Sequence, residues 1–242
     1  MGVLIRPQLN TVSRRGFLRY LAGTAGAAAL TAWPVPALAA SELQLHFPQD
    51  PRVTYFSSTF GAPRPGGRRH EGNDLMAPKL TPVYAATDGT VTVVSDGPRS
   101  GRYVVIELSD EWSTWYMHLN NDLPGGDRGR ADWSHTLAPG IEEGASVIAG
   151  QPIAFVGDSG NAEGKSPHTH FELHRLGRPI NPFPYLVDAF ERAVAALAEI
   201  DLQNQVEALC MPGVDAPAVD PELCPSPVGP VSPETPGIAG AD

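Results

Sequence analysis

Short runs of β-branched and aromatic residues, separated by Gly and Asp, fill the middle of the chain. The clearest runs are Val91–Val94, Tyr103–Leu108, Ser113–Met117, Pro152–Val156 and Thr169–Leu173. Runs of this length, bounded by turn residues, are typical of strands, and no long helical period interrupts them. The pattern therefore predicts one mainly β domain over residues 41–186, built from antiparallel sheets packed on each other.

A helical period follows the strands. Leu186, Phe190, Val194 and Leu197 stand at i, i+4, i+8 and i+11, with charged residues between them. This spacing predicts an amphipathic helix over residues 187–209. Because its polar face is not basic, we expect this C-terminal helix to pack on the sheet domain and not on a membrane.

Residues 210–242 form a Pro-rich tail that carries both cysteines of the chain. In an exported protein we expect Cys210 and Cys224 to form a disulfide, and two unpaired thiols are the alternative. The Pro-rich remainder from Pro225 onward cannot build a core, so we expect it to be disordered.

The first 39 residues have the pattern of an export signal. Arg14 and Arg15 precede an apolar stretch, and Ala37-Leu-Ala39 is a small-x-small cleavage pattern. The apolar stretch is shorter than the ~20 residues that span a bilayer, so we expect no stable membrane insertion. The paired arginines resemble a twin-arginine signal, which the twin-arginine export machinery reads, and an ordinary secretory signal is the alternative. We therefore exclude residues 1–39 from the fold and expect the protein in the periplasm or at the extracellular cell wall.

One stretch, from Asn120 to Ala145, is long and rich in Gly and Pro. A loop of this length is uncommon unless it is functional or disordered. Because it lies between two histidine-bearing segments, we expect it to form a wall of the cleft. His135 lacks partners in the sequence, so we expect it at the surface, and a position within reach of the cleft is the alternative.

The charge balance restricts the class of partner. The chain has 17 basic and 27 acidic residues, a formal net charge of −10. Nothing in this balance favours nucleic acid or an anionic membrane as a partner. Seven histidines with two cysteines favour metal binding by His and carboxylate groups over a thiolate zinc finger.

Histidines recur in three separate segments. His168 and His170 are two residues apart on a predicted strand, so both imidazoles point to the same face. His174 has the same strand parity, but it lies a further ~13 Å along the strand, too far to bind the same ion. His118 stands at the end of another predicted strand. His70 belongs to the third segment, where it precedes Gly72 and Asn73.

An aspartate completes a set of ligands. Asp74 follows His70 by four residues, on a segment that Gly72-Asn73 makes extended rather than helical. A hydrolytic zinc ion needs three N or O ligands and a fourth position for water. His70, Asp74 and one of His168 or His170 would supply them. The two remaining histidines could then take the water proton or donate hydrogen bonds to the developing oxyanion.

In the order in which they occur, these segments resemble the lysostaphin-type zinc endopeptidases, also called LytM-like. The resemblance runs through most of residues 56–186. The motifs that carry it are Ser58-Thr-Phe-Gly61, His70-x-Gly-x-Asp74, Pro82-Val-Tyr-Ala-Ala-x-x-Gly-x-Val91, Tyr116-x-His-Leu119, Gly150-Gln-Pro-Ile153, Val156-Gly157, His168-x-His-Phe-Glu172 and Pro179-Ile-Asn-Pro-Phe-Pro-Tyr-Leu186. The resemblance implies that His70, Asp74 and His170 bind Zn²⁺ and that His118 and His168 are the catalytic histidines.

The resemblance also implies the family's fold and substrate. The fold is a duplicated hybrid motif with a substrate groove between antiparallel sheets, and an extended peptide lies along the groove. The substrate would be the stem peptides or cross-bridges of bacterial peptidoglycan, which makes the protein a secreted zinc metalloendopeptidase. Asn73 departs from the aliphatic residue that the family often has, and no cell-wall-binding module is recognisable in the sequence.

Two other functions stay open. One is a secreted protease that cuts Gly-rich proteins. The other is a non-catalytic relative that regulates another cell-wall hydrolase. Such relatives usually lack zinc ligands, and this chain has all three together with both additional histidines, which argues against the second alternative.

Overall fold

The structure, a computed structural model, describes residues 4–5, 43–129 and 131–210, and of residues 205–210 it describes only the backbone. Within these residues, eleven β-strands precede one α-helix. The strands are β1 (Leu4–Ile5), β2 (Phe56–Ser57), β3 (Asn73–Met76), β4 (Pro82–Tyr84), β5 (Gly89–Gly97), β6 (Gly101–Glu107), β7 (Trp112–Leu119), β8 (Ser146–Val147), β9 (Pro152–Phe155), β10 (His168–Arg175) and β11 (Arg178–Ile180), and the helix is α1 (Phe183–Cys210).

The strands pair antiparallel throughout. The main sheet has the order β11-β10-β7-β6-β5-β8. Strand β3 joins it by pairing with the first half of β10, on the edge that β11 occupies further along. Two-stranded sheets form from β4 with β9 and from β1 with β2. The prediction of a mainly β fold with antiparallel sheets and a C-terminal helix is therefore confirmed, and each of the five predicted runs coincides with a strand.

Aromatic rings join the sheets to the start of the helix. Phe47, Phe56 and Phe190 pack with ring centroids 5.1–5.7 Å apart. Leu186, one turn before Phe190, is completely buried. Burying such side chains contributes roughly 1.5–3 kcal/mol each, so this contact face holds the helix on the sheets.

The helix begins at Phe183, four residues before the predicted start at residue 187. The side-chain oxygen of Asn181 accepts a hydrogen bond from the Phe183 amide at 3.1 Å. Pro184 is compatible with the first turn, where its missing N–H would have no partner inside the helix. The chain divides into two compact units after Val194. Of the second unit, the described residues 195–210 are the continuation of α1.

Several sequence predictions fall outside the described residues. The arginine pair, the cleavage pattern, Cys224 and the Pro-rich tail all lie there, so the export signal and the disulfide stay predictions. Leu4 and Ile5 are described, and they pair with Ser57 and Phe56. The assignment of residues 1–39 to a signal stays a prediction. No helix in the described part of the chain combines the length and the apolar character needed to cross a membrane.

Residues 120–145 are tied to the sheets. Arg102 of β6 donates hydrogen bonds to the carbonyls of Ala131 and Asp132 and to Thr136 Oγ1, at 2.6–3.2 Å. The Arg102 guanidinium also lies 4.7 Å from the centre of the Trp133 ring, within the range of a cation–π contact. A short 3-10 helix, Trp133–His135, also lies in this segment, and Ala138 and Ile141 are buried in the apolar core. Polar and apolar contacts therefore both hold the segment on the sheets.

Candidate metal centre and active site

Antiparallel pairing around β10 brings distant segments together. On one edge, Asp74 of β3 lies directly opposite His170 of β10. On the other edge, Met117 of β7, the residue before His118, also lies opposite His170. The register of three strands therefore brings His170 of β10, Asp74 of β3 and His118 of β7 to the same part of the sheet.

Three polar atoms converge at that place. His70 Nε2 lies 3.1 Å from Asp74 Oδ1 and 2.9 Å from His170 Nδ1, and His170 Nδ1 lies 3.0 Å from the same Asp74 oxygen. Both imidazoles are buried. Of the two histidines that the strand parity left open as a third ligand, His170 is the nearer one, because His168 Nε2 is 3.8 Å from Asp74 Oδ1.

The opposite ring nitrogens fix how these imidazoles are protonated. His70 Nδ1 lies 3.0 Å from the carbonyl oxygen of Thr59, and His170 Nε2 lies 2.8 Å from Glu172 Oε1. Both partners only accept hydrogen bonds, so we assign a proton to each of these two nitrogens. His70 Nε2 and His170 Nδ1 then present lone pairs toward each other and toward Asp74 Oδ1. Three acceptors in contact require a cation or a shared proton between them.

The donor set fits a zinc ion. Two ligands held at tetrahedral angles by zinc bonds of ~2.0–2.1 Å are about 3.3 Å apart. The three atoms here are 2.9–3.1 Å apart, and they are two imidazole nitrogens and one carboxylate oxygen. Structural zinc sites use four protein ligands, whereas a set of three leaves one position for a reacting molecule.

The charges around these side chains favour a cation. Burial by itself would raise the pKa of Asp74, but the hydrogen bonds and charges of His170 and His70 hold it well below its usual range. Burial by itself would lower the pKa of His170, but the carboxylates of Asp74 and Glu172 raise it to about 9. Arg64 donates to the outer oxygen, Asp74 Oδ2, at 2.9 Å, and this contact fixes which oxygen faces the centre.

A break in strand pairing positions His118. The register between β6 and β7 shifts between Tyr116 and Leu119, the stretch that contains His118. Its φ of +59° lies in the left-handed region, which residues other than glycine rarely adopt. The backbone amide of His118 donates to the Ser100 carbonyl at 2.8 Å, and its Nδ1 lies 2.9 Å from the Ser159 carbonyl oxygen. The carbonyl can only accept, so Nδ1 carries the proton and Nε2 has a free lone pair.

The surroundings keep the His118 ring neutral. Burial, followed by the charges of His168 and His170, lowers the pKa of His118 to about 4. The ring centroid of His168 lies 5.0 Å from that of His118. His168 donates from Nδ1 to the Ser166 carbonyl at 2.8 Å. Each of these two histidines is therefore fixed by a backbone carbonyl at one nitrogen and has its other nitrogen available.

Gly72 allows the two ligand segments to approach each other. A Cβ at this position would collide with the carbonyl oxygen of Phe171 and would lie 2.9 Å from both Glu172 Cγ and His170 Nε2. Any side chain here would push the segment of His70 away from β10. The glycine between His70 and Asp74 is therefore required by the close packing of the candidate metal centre.

All five predicted site residues line one open cavity of about 720 Å³. Its walls come from residues 64–71, 97–100 and 161–165. The expectation that residues 120–145 form a wall of the cleft is wrong, because none of their described members lines it. His135 is likewise outside the cavity. Residues 120–145 instead contact Arg102 and Lys79.

Sequence reasoning missed Glu172. Its two carboxylate oxygens lie 2.8 Å from His170 Nε2 and 2.6 Å from His174 Nε2, and its side chain is buried. These hydrogen bonds lower its pKa to about 2, against the effect of burial, which alone would raise it. Strand parity was the available signal, because Glu172 shares a face with His168, His170 and His174. His174 therefore contacts the candidate metal centre through Glu172, although it is not a ligand.

A second group of carboxylates already has a cation. Lys79 Nζ lies 2.8 Å from Asp122, 2.6 Å from Asp127 and 2.8 Å from Asp158. Burial alone would lower the pKa of Lys79, but the hydrogen bonds of these carboxylates raise it above its usual value. The group is therefore a network of ion pairs that joins three loops.

Comparison with known proteins finds a family. The model of Peptidase family M23 matches residues 68–182. Peptidoglycan DD-endopeptidase ShyA of Vibrio cholerae serotype O1 is 35% identical over 112 residues, which are 46% of this chain and 22% of that protein. DD-carboxypeptidase/endopeptidase Mpg of Neisseria meningitidis serogroup B is 33% identical over 138 residues, which are 57% of this chain and 27% of that protein.

Solved structures with a partial similarity to this chain are also found. A zinc-containing peptidase from Vibrio cholerae has 32% sequence identity and a TM-score of 0.46, and the match covers 57% of this chain and 39% of that one. The chain thus spans about a quarter of the length of the two curated relatives and two fifths of this solved chain. The similarity therefore covers only part of each of these proteins.

Proposed function

Residues 68–182 of this chain are a domain of peptidase family M23, and on that premise we propose that the protein is a secreted zinc-dependent endopeptidase. Its substrates would be the peptide cross-links of bacterial peptidoglycan. The names of two relatives, a peptidoglycan DD-endopeptidase and a DD-carboxypeptidase/endopeptidase, support this class of substrate.

One observation carries the proposal. Two imidazole nitrogens and one carboxylate oxygen, from segments 100 residues apart, meet within 2.9–3.1 Å. The other ring nitrogen of each histidine donates its N–H to the Thr59 carbonyl or to Glu172. A chain that used these residues only for packing would not need to bring three lone pairs together. The complete set also argues against a non-catalytic relative.

In the proposed mechanism, His70, Asp74 and His170 would hold the zinc ion through Nε2, Oδ1 and Nδ1. A bound zinc ion would supply Lewis acidity, which activates water and polarises the scissile carbonyl. His118 is neutral near pH 7 and has a free lone pair on Nε2, so it is suited to take the proton from the attacking water. We assign His168 to the developing oxyanion through Nε2, the ring nitrogen that its contact with the Ser166 carbonyl leaves available.

The test is a digest of purified peptidoglycan with the full chain, with and without a chelator. We expect about one equivalent of zinc and released peptides, and no release after chelation. Asp74→Ala should lose zinc and at least about 1000-fold in activity, since several kcal/mol of charge stabilisation are removed. His118→Ala should keep zinc and lose about 100- to 10,000-fold.

The outcomes separate the alternatives. Zinc binding without release of wall peptides, but with cleavage of a Gly-rich protein, would support the secreted protease instead. Absence of zinc, or peptide release that Asp74→Ala retains, would remove the metal mechanism. His46→Ala is a matched control, because His46 is exposed and lies outside the cavity.

We also propose that the protein is exported, through the twin-arginine machinery, to the periplasm or cell wall. The Arg14-Arg15 pair before the apolar stretch supports this route. Changing both arginines to lysine should leave the protein in the cytoplasmic fraction, measured by immunoblot, whereas Arg6→Lys should not. Export of the double variant at the wild-type level would favour an ordinary secretory signal.

A further inference from the structure

The cavity around the candidate metal centre has the opposite charge to the chain as a whole. The protein has a formal net charge of −10. Five cationic side chains nevertheless line the cavity, against three carboxylates. The cationic side chains are Arg64, Arg68, Arg69, Arg99 and Lys165.

Two of the three carboxylates are already engaged. Asp74 contacts the two ligand imidazoles and Arg64. Glu172 gives one oxygen to His170 and the other to His174. Glu71 is the remaining acidic side chain of the cavity lining, so the charge that the cavity offers to a ligand is positive.

Four of the cations are free to bind a ligand. Arg68, Arg69, Arg99 and Lys165 are exposed. Within the described residues, none of them forms an ion pair with an acidic side chain. Arg69 donates to the carbonyl of Gly61, and Lys165 donates to a backbone carbonyl as well, and neither contact neutralises the charge.

The cations stand on different walls of the cavity. Arg68 and Arg69 precede β3, Arg99 lies in the turn between β5 and β6, and Lys165 lies in the loop before β10. A concave surface that concentrates one sign of charge raises the local concentration of ligands of the opposite sign. Guanidinium groups in particular match carboxylates with two parallel hydrogen bonds.

We propose, on the basis of the proposed function, that the cavity selects peptides carrying free carboxylates near the scissile bond. Peptides in which those carboxylates are amidated, and uncharged glycine bridges, would be poor substrates. This selectivity disfavours Gly-rich proteins as the natural substrate. It also confines the attraction for anions to the cleft of an otherwise acidic protein.

The experiment compares two synthetic cross-linked stem peptides that differ only in having free carboxylates or carboxamides beside the scissile bond. The zinc-loaded full chain should cleave the carboxylate peptide with a kcat/KM roughly tenfold higher than that of the carboxamide peptide. Exposed ion pairs are individually weak, so this ratio requires several of them together. We expect most of the difference in KM. The ratio should shrink as the salt concentration rises from about 0.05 M to 0.5 M, because exposed charges are screened.

Variants connect the selectivity to the cavity. Arg68→Gln with Arg99→Gln should move the ratio between the two peptides toward one, and Arg99→Lys should preserve most of it. Arg178→Gln is the matched control, because Arg178 is an exposed arginine on β11 outside the cavity. It should leave the ratio unchanged.

Each negative result has its own meaning. Equal cleavage of both peptides, or a preference for the carboxamide, would overturn the selection for carboxylates while the hydrolase remains. Cleavage of neither peptide by zinc-loaded protein, together with no release from purified peptidoglycan, would overturn the proposed function itself.

Discussion

At the scale of single residues, the candidate metal centre depends on what lies behind the ligands. Glu172 is the carboxylate that accepts the Nε2 proton of His170, and this hydrogen bond directs Nδ1 toward Asp74. Partners of this kind fix the tautomer and the ring orientation of a metal-binding histidine and raise its basicity. Because Glu172 also holds His174, its position is fixed from two sides.

Replacing Glu172 with glutamine should therefore weaken zinc binding. The amide keeps the shape of the side chain but removes its negative charge, so His170 becomes a poorer ligand. We expect the zinc affinity to fall by roughly 10- to 100-fold, measured by competition with a chromogenic chelator. At saturating zinc, most of the activity should return, because Glu172 does not touch the substrate in the proposed mechanism.

Glu107→Gln provides the matched control, since Glu107 is an exposed glutamate on β6. It should bind zinc as the wild type does. A folded Glu172→Gln variant with unchanged zinc affinity would show that the contact to His170 does not support the metal centre.

The sequence indicates all five side chains that meet at the cavity. Strand parity pairs His168 with His170, and the resemblance to the lysostaphin-type family implies the roles of all five. The sequence could not identify the partners that orient them. The hydrogen bond from Arg64 to Asp74 depends on how a turn folds back over β3, and the left-handed φ of His118 depends on a register shift against β6. Both are set by contacts between segments, which local patterns do not record.

At the scale of elements, the sequence predicts the strands better than the connections between them. Each strong apolar run became a strand because its flanking turns and its pairing partners agree with its local preference. The start of α1 moved to Phe183 because Asn181 caps it, a contact that the helical period does not show. The position of residues 120–145 between two histidines predicts that they lie at the cleft, but contacts with Lys79 and Arg102 hold them outside it.

At the scale of the whole molecule, the unpaired cations and the carboxylates around Lys79 lie in different regions. Unpaired cations line the cavity, whereas Lys79 lies among three carboxylates at a junction of loops. Of these carboxylates, Asp122 is buried and accepts further hydrogen bonds from the amides of Arg128 and Gly129 at 2.7–2.8 Å. This ionic junction links Ala77–Thr81 to two distant loops, so its protonation affects the stability of the folded domain.

The ionic junction should make the protein sensitive to acid in a predictable direction. Burial alone would raise the pKa of Asp122, but the hydrogen bonds from Lys79, Gly129 and Arg128 hold it below its ordinary value of 3.8. A carboxyl with a lowered pKa stabilises the fold above its unfolded pKa, and this stabilisation is lost as the pH falls through the folded pKa. Asp122→Asn should therefore be less stable than the wild type by about 1–3 kcal/mol at pH 7. That difference should disappear as the pH falls from about 5 to about 2, in urea unfolding followed by circular dichroism.

Asp127→Asn, which removes an exposed partner of the same lysine, should cost no more than about 1 kcal/mol. If the Asp122→Asn difference stayed constant down to pH 2, or if Asp127→Asn cost more, the buried carboxylate would not be the group that stabilises this junction.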